Sequence, residues 1–302
     1  MPRHVPSLSD ALTARAVVLD GGLSNQLVDQ GADLSGELWS ARLLTEAPEM
    51  IEEAHAAYVR AGAQVLITAS YQATYEGFAR RGIGRAETGR LLRRSVELAR
   101  RAAGAGEEVW VAASVGPYGA MLADGSEYRG RYGLTVRELE RFHLPRIEAL
   151  AEAEPDVLAL ETVPDATEAE AMLRAAEGTG LPLWLSFTVA NGATRAGQPL
   201  EEALALVRGN DQVIAAGINC CDPADADSAV AVAADVTGKP VVVYPNSGEV
   251  WDARARAWRG GTDFDPDRIH AWQASGARLI GGCCRVGPDA VRELARRMSP
   301  ET

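Results

Sequence analysis

Eight short runs rich in β-branched residues, separated by stretches of helical apolar spacing, constrain this sequence more than any other feature. They cover residues 17–20, 65–68, 109–114, 157–161, 183–188, 213–219, 241–244 and 278–281, and helix periodicity is clear before each but the last two. Strands that alternate with helices in this way read as parallel βαβ units. Eight such units in 302 residues predict an α/β fold, a (β/α)8 barrel, with residues 1–302 forming one domain.

Local signals support the count. Thr135-x-x-Glu138 is a capping box ahead of Leu139 and Ile147. Asp265-Pro266 places a cap residue before a proline suited to a first helical turn. Pro145 falls inside the helix that begins at Thr135, so a kink or break is expected there. Two loops, 115–134 and 245–264, are longer than the rest. Both leave the C-terminal ends of strands, the face on which barrels of this kind carry their chemistry.

Composition excludes several classes of function. A net charge of −12 argues against nucleic acid, whose phosphates need a basic surface. Apolar runs as short as Val65-Leu66-Ile67 fall far below the roughly 20 residues of a membrane span. The start of the chain lacks the apolar stretch of a secretory signal, so a cytoplasmic location and reduced cysteines are expected. Lys239 is the only lysine and precedes a strand, which counts against Schiff-base and P-loop chemistry. The four histidines are scattered, with no His-x-His after a strand.

The cysteines form two adjacent pairs, Cys220-Cys221 and Cys283-Cys284, just past the sixth and eighth strands. One intervening strand puts such ends about 10 Å apart, close enough for thiolates from both sides to share a metal ion. Buried cysteines are in general more often inert core. Adjacent residues point apart on a strand, so Cys283 and Cys284 can both be ligands only if the chain turns there, which Gly281-Gly282 permits. Three thiolates and one open position describe a zinc centre able to bind and deprotonate a substrate thiol.

Taken with these cysteines, motifs along nearly the whole chain resemble the homocysteine S-methyltransferase family. They include Leu19-Asp20-Gly21-Gly22, Thr68-Ala69-Ser70-Tyr71-Gln72, Ser114-Val115-Gly116-Pro117-Tyr118-Gly119, Glu161-Thr162, Gly217-Ile218-Asn219-Cys220, Tyr244-Pro245-Asn246-Ser247-Gly248 and Gly281-Gly282-Cys283-Cys284-Arg285. The resemblance implies Zn2+ held by Cys220, Cys283 and Cys284, with Cys221 a bystander. It also implies homocysteine as acceptor, its ammonium on Asp20 and Glu161 and its carboxylate on amides near Gly21 and Gly22. Asn219 is expected to orient the metal loop or to hydrogen-bond a ligand thiolate, while Tyr244, Asn246 and Ser247 would line the methyl-donor side. Tyr71, Tyr75, Tyr118 and Trp251 are candidate aromatic partners for a sulfonium. The branch resembled uses S-methylmethionine or S-adenosylmethionine; a betaine-dependent enzyme and a non-catalytic zinc or thiol redox sensor are the alternatives. Assembly as a monomer or homodimer is expected. Where the family has Ala-Thr-Glu-Leu-Glu, this chain has Ser24-Asn25-Gln26-Leu27-Val28, so two carboxylates are missing near the expected amino acid pocket.

Overall fold

In the computed structural model, residues 6–34, 38–104, 108–252 and 257–299 are described, with only the backbone given for Trp39, residues 250–252, Ala257 and Trp258. Its eight parallel strands are β1 (Val17–Val18), β2 (Val65–Ile67), β3 (Trp110–Val115), β4 (Val157–Val163), β5 (Leu183–Phe187), β6 (Val213–Asn219), β7 (Val241–Tyr244) and β8 (Ala277–Ile280). Each pairs with its sequence neighbour, and β8 pairs with β1. The last seam closes through a single bridge, Leu19 to Val65, flanked by Gln64 N–H to Val18 O (2.8 Å) and Asp20 N–H to Val65 O (3.0 Å). The expected (β/α)8 barrel is the observed one. β1 is shorter than expected because only this one bridge continues it.

Side chains alternate along each strand, one parity facing the helices and the other the barrel axis. Val17, Val65, Trp110, Val157, Ala159, Trp184, Ala215, Val242 and Leu279 pack inside, joined at one end by Leu8, Ala11 and Leu12 of the helix Leu8–Ala14. That helix plugs the barrel floor, and Trp110 Nε1–H donates to Pro6 O at 2.9 Å. Continuing the same parity towards the C-terminal ends brings in Ser114, Glu161, Ser186 and Asn219, all buried. An apolar interior therefore ends in a polar layer on the face where the cysteines lie.

Thr135 and Glu138 form the expected capping box of the helix Val136–Ala151, which runs through Pro145 without a break. The helix after Asp265-Pro266 starts later than expected, at Arg268. Asp265 instead accepts the Asp267 N–H (2.9 Å) in the preceding turn. Among the described residues no helix is long and apolar enough to cross a membrane.

Candidate functional site

The tips of β6 and β8 converge. The Sγ atoms of Cys220, Cys283 and Cys284 lie within 4.8 Å of one another, and Cys220 to Cys284 is 3.8 Å. Four sulfurs around zinc at about 2.3 Å would stand about 3.8 Å apart, the edge of a tetrahedron, so the observed donor set fits a thiophilic ion. Backbone turns create this convergence. Cys220 takes a left-handed conformation (φ 51°) where β6 ends. Cys283 O accepts the Val286 N–H (3.2 Å) across a turn in which Arg285 is also left-handed (φ 66°). Cys283 N–H donates to Pro245 O at 2.7 Å and Cys284 N–H to Asn246 Oδ1 at 3.1 Å, so the loop after β7 fixes both thiols. On the other side, Arg285 N–H donates to Asn25 Oδ1 (2.6 Å), and Gly22 leaves room for the turn: a Cβ there would meet Cys283 O at 2.6 Å.

Three thiols this close do not ionise independently. Hydrogen bonds from Cys220 and Cys283 hold Cys284 well below the usual thiol range. Cys283 is pushed well above it by its bonds to Cys220 and Cys284, then by burial. A bound dication would remove that conflict and let all three ionise. Cys221 points away into the core between barrel and helices and is not among the grouped sulfurs.

A hydrogen-bonded belt supports the wall beside the sulfurs. Glu161 accepts from Ser114 Oγ and, at 2.8 Å, from the Tyr244 hydroxyl. Tyr244 in turn accepts from Trp184 Nε1 (3.2 Å) and pairs with Ser186 Oγ (3.0 Å). Burial pushes the Glu161 carboxyl up to about 7 against the lowering effect of its two hydroxyl donors. Immediately after it, Thr162 is left-handed (φ 57°), an unfavourable conformation for a β-branched residue. Asn219 holds it there: Asn219 Oδ1 accepts the Thr162 N–H and its Nδ2 donates to Thr162 Oγ1, each at 2.7 Å. The register of β4 against β5 shifts between Leu160 and Val163, a bulge of the kind that aims side chains at active sites.

One pocket joins these features. Of the residues singled out from sequence, Gly21, Gly22, Glu161, Tyr244, Cys220, Cys283, Cys284 and Tyr71 line it. Asp20 is adjacent and buried; its Oδ2 accepts the Ile67 N–H (2.8 Å) and its Oδ1 has no partner among the described residues. Burial, with Glu161 nearby, keeps Asp20 well above the usual carboxylate range. It does not cap the helix Leu23–Asp29, whose cap is Gly22. The Gly22 N–H is already donated to Val286 O (2.9 Å), so this amide of the glycine turn is engaged within the protein. Asn219 and Asn246 stand behind the wall as positioning residues, and Ser247 Oγ turns to Glu249 (2.9 Å). Tyr75 stacks under Arg85 and Tyr118 packs on Tyr132 and Phe142, both away from the pocket. The side chain of Trp251 lies outside the described residues. Asn25 lines the pocket, whereas Gln26 does not.

Sequence reading missed Glu127 and Tyr128. The long loop after β3 folds back through the helix Tyr118–Leu122 and a 3-10 turn, Ser126–Tyr128, that brings both residues into the pocket. The Tyr128 hydroxyl lies 3.1 Å from Cys220 Sγ. A sequence signal existed in the acidic, glycine-punctuated Asp124-Gly125-Ser126-Glu127 after a strand, but nothing in it said which side chain turns inward.

Residues 17–298 match the protein family described as homocysteine S-methyltransferase. The chain belongs to that family. A homocysteine S-methyltransferase of Escherichia coli K12 is 45% identical over 93% of this chain and 94% of its own length. Homocysteine S-methyltransferase 4 of maize is 44% identical over 92% of this chain and 88% of its own. Among solved structures, the metallated form of the E. coli homocysteine methyltransferase MmuM superposes with a TM-score of 0.83 at 44% identity, covering 94% of this chain and 96% of that one. As a homocysteine S-methyltransferase the present chain is an enzyme, and its clustered thiols form a group able to hold a metal.

Proposed function

We propose that the protein transfers a methyl group from a sulfonium donor, S-methylmethionine or S-adenosylmethionine, to homocysteine, with zinc on Cys220, Cys283 and Cys284. The observation that carries this reading is the opening of a three-sulfur cluster into a pocket bearing buried carboxylates. Zinc held there would keep one position open and stabilise a substrate thiolate at neutral pH.

Glu161 is the direct partner of the acceptor's ammonium, with Asp20 adding negative charge from beside Gly21. The turn at Gly21 and Gly22 receives the carboxylate on backbone amides not engaged with Val286. Thus anchored, the acceptor's sulfur faces the cluster. It attacks the donor's methyl carbon in line: a new S–C bond forms as the donor's S–CH3 bond breaks. The electron pair stays on the donor sulfur, which leaves as a neutral thioether. No proton need move in this step, consistent with a pocket whose lining includes no histidine or lysine among the described residues. The chain's contribution is orientation and exclusion of water by the loop after β3. A cytoplasmic location suits thiols that must stay reduced.

The decisive test is a donor panel of S-methylmethionine, S-adenosylmethionine and betaine, with homocysteine and zinc-loaded protein. Methionine formation from a sulfonium is the expected result. Turnover of betaine alone, or of none of the three donors, would reject the sulfonium assignment.

A further inference from the structure

The pocket has more acidic side chains than homocysteine alone would engage. Two carboxylates line it, Glu161 and Glu127, and no arginine, lysine or histidine does among the described residues. Glu161 has both oxygens engaged by hydroxyls. Glu127 differs. It is only 3% exposed, and its Oε2 is buried with no hydrogen-bond partner among the described residues. The nearby guanidinium of Arg129 is largely exposed and faces Asp124 at 3.5 Å. A buried carboxylate left in this state is costly unless a ligand brings the missing cation.

Its position says which ligand. Glu161 stands at the end of β4, whereas Glu127 enters from the loop after β3, next to Tyr128, whose hydroxyl touches Cys220 Sγ. The turn is built to hold it: a Cβ on Gly119 would lie 2.4 Å from Glu127 N, and Gly125 takes the left-handed conformation (φ 79°) that starts the turn. Glu127 therefore borders the sulfur cluster, where a methyl-bearing cation must approach the acceptor thiolate. Building on the sulfonium reading above, we propose that Glu127 is the specificity residue for the methyl donor, pairing with its positive charge while Glu161 takes the acceptor's ammonium.

Physical chemistry predicts how this would show. The donor's charge disappears as the methyl group moves, so a carboxylate beside it stabilises the bound donor more than the transition state. Loss of that charge should raise the donor KM and leave kcat unchanged or slightly higher. In Glu127→Gln, which keeps shape and removes charge, the donor KM should rise about tenfold or more. The homocysteine KM, zinc content and melting temperature should stay near wild type, and kcat should change by less than about threefold. Calorimetric binding of S-methylmethionine and methionine, each without homocysteine, gives a second readout. Wild type should prefer the sulfonium over the neutral thioether, and Glu127→Gln should lose that preference, with Glu127→Asp intermediate. If wild type uses sulfonium donors but Glu127→Gln keeps its donor KM within twofold, or raises the homocysteine KM instead, the assignment of Glu127 falls alone. A fall in kcat with loss of zinc would mark Glu127 as structural and overturn it equally. A wild type that uses no sulfonium would sink both this inference and the functional reading beneath it.

Discussion

Replacing Tyr244 by phenylalanine should shift the pH at which the amino acid pocket works. The Glu161 carboxyl ionises near pH 7 because burial raises it and two hydroxyl donors, one of them Tyr244, partly offset the rise. Only the ionised form pairs with an ammonium. The ionised fraction falls from about nine-tenths at pH 8 to about one-tenth at pH 6, so affinity for the amino acid should drop about tenfold over that interval. A hydrogen bond to a charged group contributes about 1.5–3 kcal/mol. Since one pKa unit equals about 1.4 kcal/mol, removing the Tyr244 hydroxyl should raise the midpoint by about one to two units. The sign follows from the donor favouring the ionised form. At pH 7 the variant should bind about 5- to 50-fold more weakly than wild type. Methionine is the suitable probe, because it carries the same ammonium and carboxylate but no thiol to titrate. Calorimetry of methionine binding from pH 6 to 9 would measure both midpoints. An unshifted midpoint in Tyr244→Phe, or affinity that rises as pH falls, would refute the role given to Glu161.

The remaining predictions concern the metal loop and the acceptor pocket. Asn246→Ala removes the acceptor for Cys284 N–H and should weaken zinc binding about 10- to 100-fold, measured by competition with a chromophoric chelator, with little change in melting temperature of the zinc-free protein. Cys221→Ser should keep full zinc stoichiometry and turnover, whereas Cys283→Ser should lose both; equal behaviour of the two would contradict the assigned ligand set. Gln26→Glu should leave the homocysteine KM within about twofold, because Gln26 is not part of the pocket lining; a large improvement would show that the missing carboxylate matters.

The barrel was legible because its signal is repetitive. Each β-branched run had to be buried, and the observed strands begin within a residue of those runs. The cysteines were legible for a related reason: strand order alone brings the ends of β6 and β8 to either side of β7. What strand alternation does not reach was harder. Asn219 and Asn246 sit at strand ends, where one backbone rotation decides whether an amide meets substrate or holds the backbone, and here both hold the backbone. Glu127 and Tyr128 belong to a loop without apolar period, placed by the Gly119 contact and the Gly125 turn, which appear only in three dimensions. Asp20 was legible as a strand-end carboxylate, but its bond to Ile67 N–H depends on how the barrel closes.

X-ray absorption at the zinc edge addresses the metal assignment most directly. Zinc-loaded protein should show three sulfur neighbours at about 2.3 Å, and homocysteine should add a fourth at a similar distance. A first shell dominated by nitrogen or oxygen, or a sulfur count that homocysteine leaves unchanged, would contradict it.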